Sequence, residues 1–417
     1  MASTPTIEGD APIRPGTARA ALANRDFRIV WSGGFASNIG TWMQNVVLGA
    51  YVYELTRSPL FVSVVYFAQL GPLLLFSVVG GLLADTVDRR RLLVFAQAEQ
   101  LVASLLLALL VLGDDPPRAG ILLCVLAIGI GNALNAPAWV AMVPSLVGRE
   151  NLAGTVSLNS TQMNASRVVG PAIAGVLFPI IGAAGVFTVN AVTYVFVIIS
   201  LLIVRMPPVP RRDDDGRGFR RLGGGFRVAR EDPLVRRILV TLTLFSLFCL
   251  PFVGQMPTIA AENLGMEVDG LAYGLFYAAF GIGAVTGAMS IGTFLSRVDK
   301  GKVVRLGLVG FAVCLLVFAL LRSAAPAYPV VALLGFCYFS MITSLNTVLQ
   351  SHLHESVRGR VMALWLMAFG GTVPLGLLLA GPVAERSSIT VVMLYGVVAA
   401  LALALYARDI RPRAPTG

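Results

Sequence analysis

Apolar residues fall along this chain in twelve blocks, near 28–54, 59–84, 91–112, 119–142, 155–179, 184–205, 237–262, 271–296, 303–322, 327–350, 359–382 and 389–408. A helix of about 20 residues, rising 1.5 Å per residue, crosses a 30 Å hydrocarbon core. Nothing in the pattern matches the alternating strands of a membrane barrel. The blocks therefore predict an all-α polytopic membrane protein with twelve transmembrane helices.

The longest polar interruption is "RMPPVPRRDDDGRGFRRLGGGFRVAREDPLVRR" at 205–237, with six blocks on each side. Its proline, glycine and charge mark a linker, and 226–237 has the pattern of a short basic amphipathic helix at a lipid surface. The predicted organisation is a tail over 1–27, a six-helix bundle over 28–205, a linker over 206–236, a second six-helix bundle over 237–408 and a tail over 409–417. The first 27 residues are polar and lack the apolar core of a signal peptide, so we read them as a disordered tail. An internal repeat supports the division. "GLLADTVDRRRLLV" (81–94) aligns without gaps to "GTFLSRVDKGKVVR" (292–305), pairing Gly81 with Gly292 and Val87-Asp88 with Val298-Asp299. The same loop at corresponding places in two halves is what duplicated transporters carry.

Composition agrees with a lipid environment: 56% hydrophobic and 13% charged residues, with a mean hydropathy of +0.79. Soluble domains carry about 25% charged residues. The net charge of +10 raises the question of nucleic acid, and its distribution answers it. Of the 32 Lys and Arg residues, only Arg57, Arg118, Arg322 and Arg386 fall in alternate, outward loops, and Arg167 lies inside a span. Basic residues concentrate in cytoplasmic loops, which places both termini in the cytoplasm and gives the charge a topological meaning; no nucleic acid is expected. Cys124, Cys249, Cys314 and Cys337 sit in apolar blocks without metal-ligand spacing and read as small buried hydrophobes. His352 and His354 fit a solvated loop edge better than a proton relay.

The stretch Gly81-Leu-Leu-Ala-Asp85-Thr86-Val-Asp88-Arg89-Arg90 resembles the signature loop between helices two and three of the major facilitator superfamily. Gly81, Asp85, Arg89 and Arg90 match the pattern, while Thr86 and Asp88 depart from it. The resemblance implies a cytoplasmic gate in which Asp85 faces a helix N-terminus of the other half, where a carboxylate is stabilised by about 0.3–1 kcal/mol. "NRDFRIVWSGGFASNIGTWMQ", "PAWVAMVPSLVGRENLAGTVSLNSTQMNASRVVGPAIAGVL", "YGLFYAAFGIGAVTGA" and "RGRVMALW" resemble the bacterial exporter branch that contains enterobactin exporters and secretion effectors. Lysophospholipid transporters and macrolide efflux proteins are more distant relatives of similar appearance. The resemblance implies two pseudo-symmetric bundles working by alternating access in the inner membrane, and leaves the substrate open.

Helix five poses the sharpest chemical question. Ser157, Ser160, Asn164 and Arg167 are spaced 3, 4 and 3 and share one face. Arg167 has no acid or base within fifteen residues on either side, and Arg at a helix centre costs about 2.5–3.5 kcal/mol on insertion scales. Its candidate counter-charge is Glu99 on helix three, about 12 Å from the inner face at 1.5 Å per residue. Three readings of Glu99 stay open: a proton-coupling carboxylate, a structural ion pair with Arg167, or a partly solvated side chain. Ser157, Ser166, Gly170, Pro171, Ala174 and Gly175 also resemble the antiporter motif of drug exporters with small residues substituted for one another. That implies export, and tight helix packing explains the same residues. The helix-four Arg of drug–proton antiporters is absent, with Val125 and Ile128 in the comparable stretch.

In this superfamily helices one, four, seven and ten line the central cavity. There the sequence offers Asn38, Gln44, Asn45, Asn132, Asn135, Gln255, Asn346 and Gln350, as substrate ligands or as helix-to-helix links. Trp31, Trp42, Phe245, Phe248, Phe252, Tyr338 and Phe339 offer apolar contact or packing. Pro251, Gly254 and Pro257 predict a bend in helix seven. No nucleophile–base set, metal spacing or phosphate-binding loop is present in the sequence, so neither an enzyme nor an ATP-driven pump is expected. The expected activity is secondary export of small organic molecules, driven by the proton gradient and needing no cofactor, by a monomer in contact with membrane lipids, protons and substrate. The alternatives are a lysophospholipid-flipping protein of the same fold and a non-transporting membrane sensor.

Overall fold

The computed structural model describes residues 15–74, 76, 83, 87–205 and 219–410; Gly81 and Asp85 of the inner-loop motif lie outside that set. Polar caps set the starts of several helices. Thr17 accepts from the Ala20 N–H at 3.2 Å and opens α1 (Ala18–Ala23), so this part of the expected tail is ordered, with Ala21 fully buried. Asn24 closes α1 and caps α2 (Arg25–Thr56), accepting from Phe27 N at 3.0 Å. Ser58 caps α3 (Pro59–Leu70), whose first residue is a proline that has no N–H to leave unpaired. Asp88 caps α4 (Arg89–Leu110) through Arg91 N at 3.0 Å. α5 (Arg118–Met142) follows.

α6 (Leu152–Ile203) is 52 residues of helix interrupted at Gly182, where φ is 67° and ψ is 179°. A side chain is strained there, and glycine adopts that backbone without cost from a Cβ. α6 is thus two arms folded back on each other, matching predicted blocks five and six. The linker helix, α7 (Phe219–Glu231), begins and ends earlier than the expected 226–237. Asp232 stops it and caps α8 (Pro233–Phe248), accepting from Leu234 N and Val235 N at 2.8 and 3.1 Å. Gly224 and Gly225 pack α7 against Arg360 rather than leaving it on lipid alone.

The bend expected in helix seven is a full break. After α8 the chain makes short helical turns at Pro251–Gly254 and Met256–Thr258, then a wide turn over Ile259–Asn263. α9 (Leu271–Ser290), α10 (Lys300–Leu320), α11 (Ala324–His352), α12 (Glu355–Leu366), α13 (Thr372–Arg386) and α14 (Ile389–Tyr406) complete the fold. The described residues of each predicted block fall mainly on helices, and no strand occurs among the described residues. Nine of the described helices are long and apolar enough to cross a membrane. α2 is not one of them because Asn38, Gln44 and Asn45 dilute its apolar character.

α2, α3, α4, α5 and α6 pack together as one bundle, and α8 to α14 as the other. Across the middle, α6 packs on α9 and α3 on α13. The repeat seen in the sequence is structural: Asp299 caps α10 through Lys302 N at 2.9 Å, with backbone angles of −53° and 121° against −56° and 117° at Asp88. We call the end carrying α1, α7 and residues 407–410 the basic end, and the other the distal end.

The two bundles meet mainly at the distal end. There Tyr53 donates to Glu262 at 3.0 Å, Ser58 Oγ and Leu60 N donate to Glu385 at 2.9 and 3.2 Å, and the Tyr66 and Tyr277 hydroxyls lie 3.4 Å apart. Gln255 Nε2 donates to Pro59 O and Ser63 Oγ at 2.8 and 2.6 Å. These six contacts tie 15–205 to 219–410 at the distal end. The apolar core follows the same division. One cluster runs through both bundles from residues such as Val62 and Phe178 to Phe276, while the basic end of the first bundle has a separate cluster around Phe27, Leu93, Met142 and Leu201.

Candidate functional site

α6 carries the site. Near the basic end Ser157, Ser160 and Thr161 are exposed, then Asn164 is half-buried, then Arg167 closes the stripe. Exposed hydroxyls on a helix that crosses lipid mark a face turned to water. The opposite side presents Val169 and Val176, 36% and 47% exposed, to lipid. One helix thus delivers a polar path from the basic end to a half-buried cation.

Arg167 does not meet Glu99. Its guanidinium lies over two rings, Trp42 of α2 at 5.3 Å and Phe339 of α11 at 4.5 Å, one from each bundle. Its Nη1 is buried without a hydrogen-bond partner. A cation on an aromatic face gains about 0.5–1 kcal/mol when exposed and about 2 or more when desolvated. Two rings therefore replace part of the hydration that a counter-charge was expected to replace. Glu99 sits instead against Gly131 of α5, in space that a side chain at position 131 would fill, with its Oε2 buried and unpartnered. The ion-pair reading is thus corrected: the depths match, but the two groups face different neighbours.

The antiporter-like residues form the seam between helices. A Cβ at Gly170 would lie 2.5 Å from Trp42 Cβ and 2.9 Å from Ile39 O, so this glycine sets the approach of α6 to α2. Gly175 meets α9, where Gly274 Cα would lie 2.8 Å from an added Cβ. Pro171 O faces Gly274, and Arg167 O faces Gly281. Ser166 is fully buried with its hydroxyl unpartnered, and Ser157 lies on the exposed face. Small residues here let two bundle backbones touch.

The amides divide into two groups. Gln44 is buried and accepts from Ser104 and Asn190 at 2.9 and 2.8 Å; Gln255 is buried at the distal seal. Both expectations of cavity lining are corrected: these amides tie helices. Asn45 accepts from Gln69 at 2.5 Å, Asn135 from Gln97 at 3.1 Å, and Asn38 donates to Gly34 O at 3.0 Å. Asn132 and Gln350 are exposed and Asn346 half-exposed, with Gln350 donating to Asn346. Among the aromatics, Phe245, Phe252 and Tyr338 are buried in a ring cluster of the second bundle, Trp31 donates to Leu158 O, and Phe248 meets Tyr395.

Arg89 donates to Ala141 O at 3.4 Å, Arg90 donates to Val204 O, and Asp88 is a helix cap. Gly81 and Asp85, and with them the expected latch, lie outside the described residues. His352 is not simply solvated: its Nε2 lies 2.7 Å from Asp232 and ties the end of α11 to the start of α8, while His354 is exposed. The sequence reading missed Glu262, Glu385 and Gly274. A signal existed for each: two acids at the distal ends of apolar blocks, and Gly274 with Gly281 spaced seven apart on one face.

A family model described as transmembrane secretion effector matches residues 16–414. The chain belongs to this family of the major facilitator superfamily. Among curated relatives, "Enterobactin exporter EntS" of Escherichia coli O1:K1 / APEC is 27% identical over 342 residues, covering 81% of this chain and 80% of the relative. The protein of the same description from Salmonella typhi is 27% identical over 341 residues, covering 81% of each. Solved structures of the same fold include a mutant of the nucleoside transporter NupG, at a TM-score of 0.79 and 12% identity over 93% of this chain and all of that one. The POT family transporter PepTSo superposes at 0.74 with 14% identity, covering 93% of this chain and 98% of that one. An inward-facing, unoccupied bacterial homologue of the lysosomal transporter Spinster superposes at 0.70 with 15% identity, covering 92% and 95%.

Membership of this transporter family gives the geometry its meaning. A superfamily fold of two bundles moves by rocking one against the other around a site near the midplane. Arg167 lies at the point where α2, α6 and α11 converge, in contact with both bundles.

Proposed function

We propose that this transmembrane secretion effector is a secondary exporter of small organic molecules that works by alternating access and exchanges substrate for protons. The basic end is cytoplasmic, in keeping with the positive-inside distribution of charge, and so are both termini. With that orientation the described form is closed to the outside and receptive from the cytoplasm. The observation that supports the reading is the cluster of inter-bundle hydrogen bonds on the distal side of Arg167, together with the exposed hydroxyls of α6 on its basic side. Substrate entering from the cytoplasm follows the Ser157–Asn164 stripe, reaches Arg167 between Trp42 and Phe339, and is released outward when the distal seal parts.

We assign proton exchange to Glu99, an acid inside the first bundle that has no cation beside it. A charge buried without a partner is costly, and a carboxyl group escapes that cost by taking up a proton. Relatives described as enterobactin exporters make enterobactin the first substrate to try, within a panel of amphipathic compounds. The test is efflux from proteoliposomes with and without an imposed proton gradient. Gradient-dependent efflux that disappears in Glu99→Gln is expected. Efflux indifferent to the gradient refutes proton coupling, and undiminished coupled efflux in Glu99→Gln removes Glu99 from it.

A further inference from the structure

Away from the contact between bundles, α10 and α14 form the outer wall of the second bundle. A groove of about 430 Å³ opens between their basic ends, within the roughly 300–1,000 Å³ range of small-ligand sites. On α10 it is lined by Lys302, Arg305, Leu306 and Val309, spaced 3, 1 and 3, which puts them on one helical face. α14 runs the opposite way and brings Leu405 and Arg408 to the facing wall. The charges therefore gather at one level, at the mouth, and the apolar side chains lie deeper along the span.

The three cations are uncompensated. None of Lys302, Arg305 and Arg408 takes part in an ion pair among the described residues. The neighbouring acids are engaged elsewhere, Asp409 with Arg237 at 2.5 Å and Asp299 with the backbone of α10. Lys302 and Arg305 also stand in the first two turns of α10, where the helix dipole disfavours positive charge. Below them Leu306 is 69% and Leu405 61% exposed. A basic mouth over an outward apolar slot matches an amphiphile with a negative head, and basic pockets between transmembrane helices on the cytoplasmic side bind anionic head groups. A stray phosphate ion would satisfy the mouth and leave the slot bare.

We propose that this groove is a binding site for an anionic diacyl phospholipid, its phosphate held by Lys302, Arg305 and Arg408 and an acyl chain laid along Leu306, Val309 and Leu405. The groove is set apart from Arg167: its lining comes from α10, α14 and the turn after α14, whereas α2, α6 and α11 are the helices that meet at Arg167.

The full chain, purified and delipidated, is incubated with phosphatidylglycerol or phosphatidylcholine of matched chains, or with inorganic phosphate alone. Bound lipid is counted by native mass spectrometry and stability followed by thermal melting. Phosphatidylglycerol is expected to be retained at least tenfold better than phosphatidylcholine and to raise the melting temperature, with phosphate alone giving no shift. Combined Lys302→Gln, Arg305→Gln and Arg408→Gln substitution should erase the preference, and the charge-keeping set Lys302→Arg, Arg305→Lys and Arg408→Lys should preserve it. Equal retention of the two lipids by the unsubstituted protein overturns the proposal without recourse to any variant. So does a melting shift that phosphate alone reproduces, or a preference that survives the glutamine substitutions.

Discussion

Replacing Gly274 by alanine should push the transporter out of the form described here. In that form a Cβ at position 274 would lie 2.5 Å from Gly175 Cα, 2.6 Å from Pro171 O and 2.7 Å from Gly175 N. All three are backbone atoms of α6 and have no rotamer to escape into. Carbon atoms pack at about 3.5–4.0 Å, so α6 and α9 must separate by about 1 Å where they meet. Overpacking of this kind costs typically 1–3 kcal/mol. The cost falls only on the state in which the distal ends touch, so it acts as a coupling term of about 5- to 150-fold in favour of the opposite, outward-open state. Spin labels on Ile180→Cys and Ala325→Cys, in a background with the four native cysteines replaced, report the separation of the distal ends. The long-distance population should grow, and net efflux should fall as the inward-receptive state becomes rare. An unchanged distance distribution together with unchanged efflux refutes the claim that Gly175 and Gly274 form a closing contact.

Two further substitutions separate stability from function and surface from core. Arg167→Met removes a half-buried cation that has no counter-charge among the described residues; relief of its desolvation offsets the loss of its two ring contacts, so the melting temperature should hold while efflux falls more than tenfold, and a destabilised but active variant would contradict the assignment. At the basic end, burial raises the Asp232 carboxyl, but the His352 hydrogen bond and the Val235 and Leu234 N–H groups outweigh it and hold the group below its ordinary 3.8. A depressed carboxyl stabilises the fold above its ordinary value and stops doing so as pH falls through the lower folded value; melting temperatures should therefore drop below about pH 4, Asp232→Asn should flatten that drop, and parallel curves would refute the link.

The spans were legible because a membrane imposes one rule on every helix, and hydropathy measures it directly. The repeated cap was legible for a similar reason: Asp88 and Asp299 act on N–H groups three residues away, within reach of any local reading. Arg167 shows where local reading ends. Its sequence neighbourhood called for an acid, and Glu99 was the acid at a matching depth. Depth is one coordinate of three, and the rotation of α4 turned Glu99 toward Gly131. Trp42 and Phe339 lie far from Arg167 along the chain in both directions, and an aromatic contact leaves no spacing in the sequence to betray it. Gln44 and Gln255 failed for a related reason. An amide in an apolar block announces that something polar is satisfied there, without saying whether by a ligand or by the next helix.

Gln255 has a consequence for leakage. Its amide nitrogen holds Pro59 and Ser63 of the other bundle, its carbonyl oxygen accepts from Thr258 at 2.7 Å, and its backbone N–H closes the turn on Pro251 and Phe252. One residue is therefore both the bolt of the outer door and the splint of a broken helix. Straightening the helix drags the bolt, and drawing the bolt leaves a buried amide unpaired unless the helix moves too. A partial excursion of either element alone breaks bonds to a buried amide and is therefore disfavoured. For the proton exchange proposed above that behaviour matters, since a door that merely rattled would discharge the gradient between transport cycles.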